Sequence, residues 1–304
     1  MIRLAVVGGE NGPWAEAALR LREATIVMKG NDSGEEPSVF LAPTDCEAVV
    51  FAGTGTTSPN SVRRCLAAGK HVLLTVDAGL SSETLLELSS HAVRTGWQLA
   101  LVNPDRFLPS RQLIRQQLDA GKLGQPGLIR LHRWEFLPQN AEEISEALPQ
   151  PLVRDLDVTQ WLMGRFPEVV FALEQQADKA SGERGRLLQV HLGFSEVGMA
   201  LIDYTNRLPA GAPYHSLSLI GSSGAAHADD HQNMQLAFRG GHPLAVRMDE
   251  QKRQWSSLLQ DFVNGLQAGR DFSSGVASWR RALDTAYAVK CSLQSGKAVS
   301  GDGC

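Results

Sequence analysis

Apolar runs and helical periodicity alternate through the first third of the chain. Ile2 to Val7 is a short buried-type run closed by Gly8 and Gly9, and Pro13 opens a helical segment through Leu21. Ala24 to Met28 and Ala48 to Ala52 read as further strands. Ser58 and Pro59 start a helix, with Ser58 as its cap, and Gly69 ends it. His71 to Val76 is the next strand. Glu83 to Thr95 carries Leu85, Leu86, Leu88 and Val93 on one helical face, Gly96 stops it, and Trp97 to Val102 returns as a strand. Repeated alternation of this kind predicts a parallel sheet with helices on both faces.

After Lys122 the pattern changes to strands. Leu128 to Phe136, Val169 to Leu173, Leu187 to Phe194, Met199 to Tyr204, Ser216 to Ile220, Met234 to Phe238 and Leu244 to Met248 follow one another with few helices between them. They predict an α+β domain on a large, mostly antiparallel sheet. Trp255 to Ala268 and Ser278 to Gln294 are apolar at helical spacing and close the chain, with Gly269 and Gly296 just past their ends. The expected division is therefore residues 1–122 and residues 123–304, and 304 residues exceed what one core usually fills.

Composition narrows the function classes. With 43% apolar and 20% charged residues and a net charge of -4, the chain has no basic run to favour nucleic acid or an anionic membrane. No stretch reaches the roughly 18 apolar residues of a membrane span, and a cytoplasmic protein is the expectation. Cys46, Cys65, Cys291 and Cys304 form no C-x-x-C pair and read as reduced thiols. His227, Asp229, Asp230 and His231 read as a solvated loop rather than a metal site, and His132, His191 and His215 as strand histidines; no metal is expected.

Four segments carry a resemblance: the opening strand with its glycine turn; AAGKHVLL followed by WQLALVNPDRFLPS; LDAGKLGQPGLIRLH; and RDLDVTQWLMGRFPEVV with the two closing helices. In this order the chain resembles the family of glucose-fructose oxidoreductase and inositol dehydrogenase. The resemblance implies α/β architecture: an N-terminal Rossmann-type domain that binds NAD or NADP, and a C-terminal α/β domain. The open sheet of the latter covers the nicotinamide and makes a homo-oligomer, dimer or tetramer. The partner it implies is a small molecule, anionic or sugar-like.

The family's functional positions are altered one by one. Its G-x-G-x-x-G turn reads Gly8-Gly9-Glu10-Asn11-Gly12-Pro13, so Glu10 and Pro13 replace glycines that let backbone approach a pyrophosphate. Gly8, Gly9, Asn11 and Gly12 remain the candidate contacts, together with Gly53 and Thr54 after the third strand. Asp32 is the candidate for the ribose hydroxyls. Where the family has its catalytic lysine stands Val76, with Asp77 beside it; where it has an Asp and a His four residues apart stand Gln150 and Arg154, with Asp157 following. Arginine stays protonated and does not accept a hydroxyl proton, but it clamps carboxylates and phosphates. Arg154, with Asn103 and Arg106, is thus an anion-pocket candidate, and Asp77, Arg154 and Asp157 are the catalytic candidates. Three readings follow. The chain is a member impaired in sugar or polyol hydride transfer that keeps ligand binding; or an active oxidoreductase with relocated catalytic groups; or a structural oligomerising subunit with an empty cleft and no cofactor.

Overall fold

The computed structural model describes residues 1–7, 17, 20–30, 46–52, 57–136, 147–176, 185–196, 198–208, 213–229, 234–238, 244–247 and 250–301. The chain divides into two compact units, one of Met1–Leu108 with Gln251–Arg280 and one of Pro109–Glu250 with Arg281–Cys304. The contact pattern thus returns residues 251–280 to the first unit, beyond the reach of a single cut along the sequence.

The first unit is built on five parallel strands: β1 (Ile2–Val7), β2 (Ala24–Gly30), β3 (Ala48–Phe51), β4 (His71–Thr75) and β5 (Leu99–Val102), in the order β2-β1-β3-β4-β5. Their near-continuous apolar character has the expected cause, since a parallel sheet is covered on both faces. Helices α1 (Pro59–Ala67) and α2 (Ser82–Thr95) contribute Val62, Cys65, Leu66, Leu85, Leu88 and Ala92 to the interior. The apolar face of α2 is therefore set by Leu85, Leu88 and Ala92; Leu86 and Val93, expected on that face, are exposed. Ser58 takes the cap position of α1 without a side-chain cap bond, whereas Ser81 accepts from the Thr84 amide at 3.2 Å. The strand expected from Trp97 starts at Leu99, because Gly96 turns through positive φ.

Helix α5 (Glu250–Gln267), between the second unit's strands and the chain end, packs Leu258, Leu259, Phe262 and Val263 with Leu4, Val6, Val50 and Leu73. The next helix, α6 (Ser273–Ser295), starts close on the sheet: a Cβ at Gly275 would lie 2.4 Å from the Leu101 carbonyl oxygen. Buried Lys70 satisfies its ammonium by donating to the Cys46 carbonyl at 2.6 Å. Cys46 and Cys65 are buried thiols outside any disulfide, and burial pushes the Cys65 thiol up to about 12. Cys291 is disulfide-bonded, which corrects the expectation of a reduced thiol there; sequence spacing does not show which sulfurs meet.

The second unit holds a nine-stranded sheet of β6 (Pro126–Phe136), β7 (Pro167–Gln176), β8 (Arg186–Phe194), β9 (Gly198–Leu208), β10 (Tyr214–Gly221), β11 (Ala225–Asp229), β12 (Met234–Phe238), β13 (Leu244–Arg247) and the two-residue β14 (Val299–Ser300). The order is β13-β12-β11-β10-β6-β9-β8-β7-β14. All pairs are antiparallel except β6 with β9. Period-two alternation gives the sheet one buried face, with Ile129, Leu131, Val190, Leu192, Ala200 and Ile202. On it packs α4 (Gln150–Met163), which buries Leu152, Leu156 and Leu162 and ends at Gly164 with φ 68°. Helix α3 (Pro109–Asp119) lies against α4, and Arg115 donates to the Trp161 carbonyl at 2.7 Å.

The opposite sheet face carries exposed apolar side chains together with polar ones such as Arg130, His132 and Asp203. Val169, Leu173, Leu187, Met199 and Ile220 each expose 41–56% of their surface on it. On the same face His132 Nδ1 stands 2.9 Å from Asp203 Oδ2, its register partner on β9.

Candidate functional site

The five parallel strands of the first unit deliver their carboxyl ends to one edge of the sheet. Val7 and Phe51 are register partners at the tips of β1 and β3, and Gly30 ends β2 beside Val7. The strand order reverses direction at β1 and β3, the switch point at which open α/β sheets leave a crevice for a ligand. The candidates Gly8, Gly9, Asn11 and Gly12 follow β1, Asp32 follows β2, and Gly53 and Thr54 follow β3; all seven lie outside the described residues.

The strand β4 runs into a short 3-10 turn, Val76–Ala78. Val76 is buried and Asp77 half-buried, and the Thr57 amide donates to the Ala78 carbonyl at 3.0 Å, tying this turn to the entry of α1. The segment after β5 is a 3-10 turn over Pro104–Phe107. Buried Asn103 caps it, its Oδ1 accepting from the Asp105 amide at 3.0 Å. Arg106 donates to Ser278 Oγ at 2.6 Å. Asn103 thus holds the turn, and Arg106 ties it to α6.

In the second unit the candidates sit on α4, where Gln150 is exposed in the first turn, Arg154 is half-buried one turn on, and Asp157 is buried. The acid next to Arg154 pairs elsewhere. Asp155 accepts from Arg133 Nε at 2.6 Å and Nη2 at 2.7 Å, a bidentate pair with both side chains almost wholly buried. It clamps α4 to β6. The charge of Arg154 instead bears on Glu135.

Glu135 is a residue the sequence reading did not single out. It lies two positions beyond Arg133 on the same strand face, and His215 is the register partner of Arg133 on β10. His215 Nε2 and Arg133 Nη1 each stand 3.7 Å from Glu135 Oε1, and Arg133 Nη1 is 3.5 Å from His215 Nε2. Burial pushes the Glu135 carboxyl up, but the neighbouring His215 imidazole and the charges of Arg133 and Arg154 outweigh it, so it stays below the ordinary carboxylate range. Tyr204, beside Arg133 on β9, is pushed up to about 12, chiefly by burial. The available signal was a charge at every second position of a strand, Arg133 and Glu135; its partner across the ladder needed the register.

His227 bonds Ser218 Oγ through Nδ1 at 2.8 Å on the neighbouring strand, while Asp230 and His231 lie outside the described residues. Among the described residues no group of three His, Cys, Asp or Glu side chains is placed to hold a metal ion, and no helix is long and apolar enough to cross a membrane.

Residues 115–296 match the family described as "Oxidoreductase family, C-terminal alpha/beta domain". The chain belongs to this family, the glucose-fructose oxidoreductase and inositol dehydrogenase group of NAD(P)-dependent oxidoreductases. It is 21% identical over 292 residues to a myo-inositol 2-dehydrogenase of Thermotoga maritima, covering 92% of this chain and 87% of that one. In fold it is similar to a probable dehydrogenase from Thermotoga maritima, with a TM-score of 0.80, 19% identity and 99% of both chains covered. It is also similar to scyllo-inositol dehydrogenase from Lactobacillus casei with bound NAD(H) and scyllo-inositol, with a TM-score of 0.75, 18% identity and 99% of both chains covered.

Proposed function

We propose that this chain binds an NAD-type dinucleotide at the switch point of its first unit and a small polyhydroxylated or anionic ligand in its second. We further propose that it has lost the proton-handling groups by which the family oxidises sugars and polyols. The single observation that carries the loss is chemical. Buried Val76 and half-buried Arg154 stand at the lysine and histidine positions, and neither side chain accepts a proton near neutral pH. Binding is supported by the preserved strand order and by relatives that include a structure holding NAD(H) and scyllo-inositol. When bound, the nicotinamide supplies a two-electron acceptor or donor.

Within this reading, Gly8, Gly9, Asn11, Gly12, Gly53 and Thr54 are the pyrophosphate contacts and Asp32 the ribose contact. Arg154 is the ligand contact of the second unit, and Asn103 and Arg106 are anion-contact candidates within the first. The open sheet face of the second unit is the surface on which a second copy assembles, giving a dimer or tetramer, and the protein works in the cytoplasm. The test is a binding panel of NAD(H), NADP(H), myo-inositol, scyllo-inositol and sugar acids, read as a rise in melting temperature. Arg154→Ala should weaken the ligand response at least tenfold and leave the nucleotide response intact; unchanged ligand affinity removes Arg154 from the site.

A further inference from the structure

We infer that the open sheet face of the second unit is self-complementary, and that a second copy docks on it about a two-fold axis running across the strands. This rests on the proposed reading of that face as the assembly surface, and it fixes how the copies meet. The ladder registers sort the face into rows that cross β8, β9, β6 and β10. One middle row is acidic, with Asp203 on β9 and Asp229 on β11 to either side of His132 and Ser216. The next row is basic. In it Arg130 on β6 stands with His191 on β8 and His227 on β11, and among the described residues it holds no carboxylate. The outer rows are apolar or aromatic. Leu187, Trp134 and Tyr214 lie beyond the acidic row, the Trp134 and Tyr214 rings 4.8 Å apart, and Met199, Leu128 and Ile220 lie beyond the basic one.

A two-fold contact between sheet faces is isologous and keeps its axis in the plane between them. An axis along the strands sets each row on its own copy, carboxylates on carboxylates and the Arg130 row on itself. Like charges met in this way repel. An axis across the strands, midway between the two middle rows, exchanges them and lays acid on base. The same rotation lays the Trp134–Tyr214 row on the Leu128–Ile220 row, apolar on apolar. Each strand then faces its own copy in the reverse direction, so Asp229 meets His227 of the second copy, Trp134 meets its Leu128 and Tyr214 its Ile220. Arg130 of the second copy comes over His132, about one strand spacing of 4.8 Å from Asp203, the carboxylate that stands 2.9 Å from that imidazole. Trp134, Ile220 and Met199, each 39–56% exposed in the single chain, leave water in the contact. With strands about 4.8 Å apart and a rise of about 3.4 Å per residue, the rows from β8 to β11 cover about 600 Å² per copy. The total of about 1,200 Å² is enough for a specific interface.

The experiment is sedimentation velocity on the full chain over a range of concentrations, with circular dichroism on every variant. The wild type should self-associate, with a dissociation constant read from the concentration dependence. Arg130→Asp sets acid against acid and should raise that constant at least about tenfold. Asp203→Arg sets guanidinium against guanidinium and should do the same. Joined in one chain, the two replacements exchange the charges of the rows, and the constant should return to within a few-fold of the wild-type value. Arg130 is exposed, so its replacement alone carries the test if Asp203→Arg, which removes the contact with His132, alters the fold. Single reversals that leave the constant unchanged overturn the inference, because an axis along the strands is indifferent to them. A folded double variant that associates as weakly as either single one overturns it too. A wild-type protein that stays monomeric overturns the underlying reading, and the inference with it.

Discussion

At the residue scale the site is decided by which charges are already matched. Arg133 and Asp155 are both buried, and removing one partner of such a pair strands the other charge in a poorly solvating interior. Arg133→Ala should therefore lower stability by about 3–5 kcal/mol, read by denaturant unfolding, and a change under 1 kcal/mol would show the pair is not structural. Glu135 gives a pH signature. Its folded carboxyl lies below its ordinary 4.5, so the stability it contributes is present above that value and is lost as pH falls through the lower folded value. Glu135→Gln should flatten that part of the acid-unfolding curve. The reading of Val76, Gln150 and Arg154 as replacements for the family's lysine, carboxylate and imidazole came from the sequence alone, through the motifs around them. Glu135 and His215 were not legible as a pair, since eighty residues of chain separate them and only the β6–β10 register brings them together.

At the element scale, periodicity carried most of the information. The five parallel strands and the two closing helices follow from runs of buried-type residues and from glycine stops, and the structure has them with ends shifted by a few residues. Periodicity failed where an apolar residue sat off the buried stripe, as with Leu86 and Val93 on α2: a helix of a soluble protein tolerates single exposed apolar side chains. It also gave no hint of Gly275, where the first turn of α6 meets the backbone of β5. Because the obstacle there is a carbonyl oxygen rather than a flexible side-chain end, Gly275→Ala should cost about 1–3 kcal/mol in thermal or chemical unfolding. A neutral result would mean that the helix seat is not fixed by that contact.

At the scale of the whole molecule the two units divide the chemistry. The first supplies a switch point at the ends of β1 and β3, and the second supplies a sheet with one face given to α4 and the other open. Strand count and order of the mixed sheet were legible only as a tendency, because antiparallel runs announce themselves locally while the parallel β6–β9 pair is set by topology. The open face leads to a direct expectation. On the proposed assembly through this face, joint replacement of Leu173 and Met199 by Glu should give monomers in sedimentation velocity while leaving circular dichroism unchanged, since both side chains are about half exposed in the single chain. Unchanged sedimentation would place the assembly surface elsewhere.

The family frame with altered chemistry makes one demand above the others: a dinucleotide must still bind although Glu10 and Pro13 interrupt the glycine turn. Calorimetric titration of NAD+ and NADP+ into the purified full chain tests it most directly. The expected result is saturable binding of at least one of them at one equivalent per chain, with scyllo-inositol or myo-inositol binding to the loaded protein. Absence of heat with either nucleotide, together with an unshifted melting temperature, would contradict the account.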